Sequence, residues 1–307
     1  MGLAMTKEDM TYRGMLLEHE PMSRHTSWRV GGSADCFYRP ADIEDLSLYL
    51  QNIKKTDSVF WLGLGSNVLV NDKGIRCNVI CTSGVLNTIK YIDETRIYIE
   101  AGVPSPKLAK FSAKLGLQGA EFLSGIPGTF GGALKMNAGA MGGETWDIVE
   151  SVETIDIQGV RHQRKPEEFC VSYRHVEPAV KNSSQEWFVS AVIKLSKGDK
   201  EESLQKIKSH LSRRSATQPT QQANAGSVFR NPENDYAARL IESCGLKNYC
   251  IGGACVSDKH ANFIINSGTA TAKDIEALID YVHEKVLQQH GINLVREVQL
   301  IGEHGEF

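Results

Sequence analysis

Residues Gly125 to Gly143 read GIPGTFGGALKMNAGAMGG, with seven glycines and three alanines in nineteen positions. Glycine has no side chain to bury and costs the most backbone entropy to order, so this run cannot build a core by itself. A bound group that brings phosphate or heterocycle oxygens up to exposed N–H donors offsets that cost. A tight turn between packed elements is the structural alternative. Pro127, Phe130 and Asn137 interrupt the run at separate places, and the spacing favours a ligand site.

Working outward, the segment before the run predicts a helix. Ser105 is expected to cap it, Pro106 suits its first turn, Leu108, Phe111 and Leu115 form its apolar side, and Gly116 takes the left-handed end position. Thr88 to Glu100 predicts an antiparallel hairpin, as does SVETIDIQGVRHQR after the run, and WFVSAVIKL predicts a strand. Further upstream, the chain from Ser33 reads as a strand stopped by Pro40, and Ile43, Leu46, Leu50 and Ile53 recur at helical spacing. VFWLGLGSNVLV holds a second glycine turn, Gly63 to Asn67. It reads either as a β hairpin or as an anion nest, because its N–H donors and two polar side chains share one tight turn. It is no dinucleotide fingerprint of the GxGxxG kind, since a strand rather than a helix follows it.

Beyond Asp199 the composition shifts to a helix with Leu204, Ile207 and Leu211 on one side and His210, Arg213 and Arg214 at its end. A domain boundary is expected near it. AGSVFRNP follows, then a helix stopped at Gly245, a strand at Ala261 to Asn266, and a long helix opened by Thr271 and Asp274. The last strand, Asn293 to Ile301, carries Glu297 in an apolar pattern.

The 307 residues carry 34 Lys and Arg against 37 Asp and Glu, a net charge of -3, which argues against a nucleic-acid footprint. No apolar run approaches the ~18 residues of a spanning helix, and the first residues lack a secretory pattern, so a cytoplasmic location without membrane attachment is expected. The seven cysteines are scattered and read mostly as small buried hydrophobes. Cys244, Cys250 and Cys255 come nearest to metal spacing, but without a CxxC pair no metal is expected.

Six separated motifs now stand in order: HTSWRVGG (His25–Gly32), LGLGSNVLV (Leu62–Val70), EFLSGIPGTFGGALKMNAGAMGG (Glu121–Gly143), SYRH (Ser172–His175), AGSVFRNP (Ala225–Pro232) and VREV (Val295–Val298). With them the chain resembles the UDP-N-acetylenolpyruvoylglucosamine reductases, FAD enzymes of bacterial peptidoglycan synthesis, over roughly residues 20 to 302. The resemblance implies an α+β fold: a two-part FAD-binding fold of the vanillyl-alcohol-oxidase-like (PCMH-type) group, plus a C-terminal α+β substrate-binding domain. The expected divisions are 1–84, 85–205 and 206–307, with the last strand free to return to the first part. The short span after AGSVFRNP resembles the family type that lacks a tyrosine-bearing insertion.

The same resemblance implies site residues. Gly63, Leu64, Gly65, Ser66 and Asn67 would hold the FAD pyrophosphate. Gly125, Ile126, Pro127 and Gly128, with Asn137, Ala138 and Gly139, would line the phosphate and isoalloxazine region, and the FAD is expected to be noncovalent. Ser227, Arg174 and Glu297 are the implied catalytic set, with NADPH as hydride donor and a UDP-sugar as substrate. Arg230, Asn231, Arg239, Lys259 and Asn262 are the candidates for holding that substrate. Two other readings stay open at this point: another FAD oxidoreductase of the same fold group, and a nonenzymatic nucleotide-sugar or flavin-binding regulator.

Overall fold

The structure is a computed structural model that describes residues 12–54, 58–180 and 185–302. In the first part, β1 (Met15–Pro21), β2 (Ser33–Arg39), α1 (Ile43–Asn52), β3 (Val59–Leu62), β4 (Val68–Val70) and β5 (Ile75–Cys81) follow one another. The sheet order is β1-β2-β5-β3. Asp42 starts α1 by accepting a hydrogen bond from the Asp45 N–H. β3 and β4 do not pair, so the glycine turn between them is no hairpin loop: β3 runs parallel to β5, and β4 belongs to another sheet.

The second part comprises β6 (Ile89–Tyr91), β7 (Arg96–Glu100), α2 (Ser105–Lys114), β8 (Leu117–Gln118), α3 (Phe130–Lys135), β9 (Gly139–Ala140), β10 (Gly143–Glu144), β11 (Val149–Asp156), β12 (Arg161–Arg164), β13 (Phe169–Ser172), β14 (His175–Pro178), β15 (Glu186–Lys194), β16 (Ser196–Lys197) and α4 (Lys200–Thr217). Its main sheet is antiparallel in the order β12-β11-β15-β7-β6. The expected hairpins at 88–100 and 151–164 both form. Pro104, not Ser105, occupies the cap of α2, which moves Ser105 into the first turn and leaves its buried Oγ without a hydrogen-bond partner. Residues 169–172 pair with 175–178 as a hairpin turned at Tyr173-Arg174. The polar residues 181–184 lie outside the described residues.

The helix α4 packs its Leu204 and Ile207 into the core of this second part, with Phe130, Leu134 and Trp146. The expected division at 205/206 therefore falls inside a helix, and a division after Thr217 fits the packing better. A third part follows: α5 (Ala237–Ser243), β17 (Cys250–Ile251), β18 (Ala254–Val256), β19 (Ile264–Asn266), α6 (Ala272–His290) and β20 (Gln299–Ile301). Thr271 and Asp274 form the capping box of α6, and the Ala272 and Lys273 N–H groups also donate to Asp72 from the first part, at 2.9 and 3.0 Å. Cys250 and Cys255, which the sequence placed nearest to metal spacing, face each other across the β17–β18 pair as a disulfide.

The three parts are fastened where the site lies. Tyr38, Leu46 and Leu50 of the first pack with Ile155 and Val189 of the second. Trp28 is fully buried in the third part's core, and its indole N–H donates to the Ile264 carbonyl at 2.7 Å. Finally, β20 pairs in parallel with β4. Only residues 299–301 form strand. The Glu297 and Val298 N–H groups both turn to the Val228 carbonyl, which breaks the ladder and leaves Glu297 on an irregular lead-in rather than mid-strand.

Candidate active site

Both glycine turns border one cleft of about 410 Å³ between the three parts. Gly63 and Gly128 are needed where the turns touch: a Cβ on Gly63 would stand 2.4 Å from Thr129 Oγ1, and one on Gly128 2.8 Å from Ser66 Oγ. Gly128 also sits at φ +128, a conformation that L side chains avoid. Ser66 Oγ donates to the Pro127 carbonyl at 3.0 Å and locks one turn to the other. Asn67 Nδ2 donates to the Glu297 carbonyl at 3.2 Å, and the Gln299 N–H returns a bond to the Asn67 carbonyl at 3.0 Å. The nest is thereby tied to the segment that carries Glu297.

Ser227, Arg174 and Glu297 all line this cleft. Arg174 stands at the tip of the β13–β14 hairpin with φ +56, a strained position for a non-glycine residue that the surroundings must hold. Two side chains from the glycine-rich stretch hold it: Asn137 Nδ2 donates to the Ser172 carbonyl at 3.4 Å and Lys135 Nζ to the Val176 carbonyl at 3.3 Å. Arg174 Nε lies 2.8 Å from Glu297 Oε1, and the Glu297 side chain is only 10% exposed. Burial pushes the Glu297 carboxyl above the ordinary range, against the pull of Arg174 and Arg230. Apart from Glu297, the buried Arg174 Nε meets no acceptor among the described residues.

Of the cofactor candidates, Gly63 to Asn67, Gly125 to Gly128, Ala138 and Gly139 line the cleft. Asn137 does not; it is buried and bonds Glu144, Ser172 and the Trp146 N–H. Among the substrate candidates, Arg230 borders an adjoining cavity of about 350 Å³ that shares Arg174 and Glu297 with the cleft. Asn231 accepts from the Ala237 N–H at the start of α5, Arg239 is exposed and paired with Asp235, and Lys259 donates to the Ser215 carbonyl. None of these three lines either cavity. Asn262 is buried, and its amide bonds the Phe229 N–H and carbonyl at 3.0 and 2.8 Å, which fixes the loop after Ser227.

Sequence reasoning missed Lys135 and Gln299, which line both cavities, and Gln218 of the cleft. Gln299 stands two residues after Glu297, and extended-chain spacing alone places the two on one side. Lys135 lies inside the glycine-rich stretch as its one charged side chain, and desolvation holds its pKa below the usual lysine value. Arg214, read as part of a basic helix end, reaches the cleft, and burial lowers its pKa. Among the described residues, no cluster of three or more His, Cys, Asp or Glu is arranged to hold a metal.

The residues present fit FAD. Two donor-rich turns meet in one cleft, and among the described residues the buried Thr129 Oγ1 beside them lacks a partner and the cleft lining contains no His, Cys or Tyr through which a flavin could be covalently attached. Fold and cleft together thus define a FAD-binding oxidoreductase. Comparison with known proteins agrees: residues 34–163 match a family described as FAD binding domain, and residues 218–301 match the C-terminal domain of UDP-N-acetylenolpyruvoylglucosamine reductase.

Reductases of that name from Methylococcus capsulatus and Nitrosococcus oceani are 54% and 52% identical, each over 95% of this chain and 94% and 96% of their own. The crystal structure of the enzyme from Thermus caldophilus superposes with a TM-score of 0.79 at 33% identity, covering 94% of this chain and 98% of that one. The chain belongs to the UDP-N-acetylenolpyruvoylglucosamine reductase family.

Proposed function

We infer that the protein reduces UDP-N-acetyl-3-O-(1-carboxyvinyl)-glucosamine to UDP-N-acetylmuramate in peptidoglycan precursor synthesis, with FAD held noncovalently and NADPH as hydride donor. The observation that carries this reading is the meeting of Ser227, Arg174 and Glu297 in the cleft that both glycine turns border. Bound in the cleft, FAD supplies the hydride relay from NADPH to the terminal carbon of the enolpyruvyl group. The chain's own residues manage charge and proton. As hydride adds, negative charge spreads from the adjacent carbon into the carboxylate; Arg174 faces it as a fixed cation, with Arg230 beside it. Glu297, whose carboxyl holds its proton more firmly than usual, donates or orients a hydrogen bond to the same oxygens.

Ser227 gives its proton to the adjacent carbon, a task for which an unaided hydroxyl is too weak an acid. The neighbouring cations stabilise the resulting alkoxide until it is reprotonated. Arg230 takes the anionic end of the UDP-sugar, while Asn262 acts through the loop it fixes rather than by contact. We assign the protein to the cytoplasm, where NADPH and nucleotide-sugars are made; no helix among the described residues is long and apolar enough to cross a membrane. The test is NADPH consumption by the purified yellow protein: it should depend on the enolpyruvyl substrate and yield the lactyl ether. Steady oxidation of NADPH without that substrate, and none added by it, would sink the assignment.

A further inference from the structure

We propose that Trp61 and Trp187 form the wall on which the adenine ring of FAD stacks. The proposal rests on the reading above that FAD lies in the cleft with its flavin toward Arg174. Trp61 comes from β3 in the first part and Trp187 from β15 in the second. Their rings stack 5.3 Å apart at 7°. Both residues are half-buried, and both line the cleft.

Chain order points to the end of the cleft they occupy. Trp61 stands two residues before Gly63, on the approach to the nest, whereas Asn67 at its far side is bonded to the Glu297 backbone. The sequence of sites is therefore aromatic pair, anion nest, catalytic trio. A dinucleotide with its pyrophosphate on the nest and its flavin at the trio must carry its adenine to the aromatic end. The Glu186 carboxylate beside Trp187 is already paired with Arg164 at 2.6 Å. A flat heteroaromatic base gains most from a flat π-face, and an indole offers the largest one. The two tryptophans also pack beside the Tyr38, Ile155 and Val189 cluster, so a purely structural role in joining the two parts must be separable by experiment.

The experiment titrates apoprotein with FAD and, separately, with FMN, which carries the flavin and a phosphate but no adenine, and reads affinity by calorimetry. Trp61→Ala and Trp187→Ala should each weaken FAD by about tenfold, the range of base stacking on an aromatic side chain, and leave FMN unchanged. Trp187→Phe should retain most of the affinity, and Trp187→Leu, similar in bulk but without a π-face, should lose it; this pair also serves if the alanine variants fold poorly. Equal loss for FAD and FMN, or FAD affinity indifferent to Phe against Leu, overturns the proposal. Thr129→Val is measured alongside, since it removes the unpartnered hydroxyl in the middle of the cleft. FAD weakened by Thr129→Val but not by the tryptophan variants overturns the adenine wall alone, and FAD unaffected by any of them overturns the cleft reading with it.

Discussion

Arg174 Nε and Glu297 Oε1 stand 2.8 Å apart although one residue rides a hairpin of the second part and the other the lead-in to the last strand. Each is therefore positioned by a different portion of the chain, and the pair forms only when both are seated. Arg174→Ala should keep its FAD and its reduction by NADPH. Reoxidation by the enolpyruvyl substrate should slow by roughly 100- to 1000-fold, as for loss of a fixed donor facing developing charge. Arg174→Lys should recover only part, because an ammonium lacks the planar fork. Anaerobic stopped-flow of the two half-reactions decides it.

Ser227→Ala removes one hydroxyl from a half-buried turn and should cost little stability. Flavin reduction by NADPH should run at near the parent rate, while the substrate half-reaction falls at least ~100-fold, as for loss of a general acid. Ser227→Cys should restore part, since a thiol releases its proton more readily. An unslowed second half-reaction would move the proton to another donor.

Glu297 makes stability depend on pH in a defined direction. Its carboxyl is raised in the folded protein by burial, so the unfolded chain gives up this proton first. The contribution of the protonated group is complete at pH below the unfolded value and is lost as pH rises through the folded one. Glu297→Gln lacks that slope. Melting temperatures of parent and variant should therefore draw apart in favour of the variant between pH 4 and pH 7.5, and a gap that moves the other way contradicts the raised pKa.

Substrate affinity should separate Arg230 from Arg239. Arg230 borders the cavity beside Glu297 and its buried Nε has no hydrogen-bond partner among the described residues, whereas Arg239 is engaged with Asp235 at an exposed site. Arg230→Ala should weaken UDP-sugar binding by about tenfold or more, in line with a lost charge-assisted contact. Arg239→Ala should change it by less than about twofold, as expected of a surface pair. Calorimetry on the FAD-loaded protein reads both.

Asn262→Ala tests the support of the Ser227 loop. It deletes a buried amide that satisfies both backbone groups of Phe229, at a cost of about 1–3 kcal/mol for each group left without a partner. A fall in melting temperature with a matching fall in kcat, and KM for NADPH little altered, is the expected pattern.

Much of this was legible in the sequence because local chemistry set it. Helix α1 follows from apolar spacing and Asp42, α6 from its capping box, and the cleft-lining turns from their glycines, of which Gly63, Gly65 and Gly128 leave no room for a side chain. What stayed hidden depends on contacts between distant segments. Nothing local says that β4 will pair with β20, that Asp72 will cap α6, or that Asn137 will turn away from the cleft to brace the Arg174 hairpin. The same holds for the candidate substrate residues: Asn231, Arg239 and Lys259 have the right chemistry, and only the structure shows that α5, Asp235 and the Ser215 carbonyl engage them. Glu297 was legible only through its motif, since its strand begins two residues after it.

The bond between Asn67 and Glu297 joins positions 230 residues apart, and it sets an order of events during synthesis. On the ribosome the first part can collapse early and Ser66 can dock on Pro127, but the Asn67 side of the glycine nest and the edge of β4 stay open until residues 297–301 have emerged. Closing so long a loop is slow relative to local folding. Cofactor capture is accordingly a late step, and a chain stalled shortly before position 297 should accumulate as a largely structured but colourless species with an exposed strand edge, the kind of surface that recruits chaperones or aggregates.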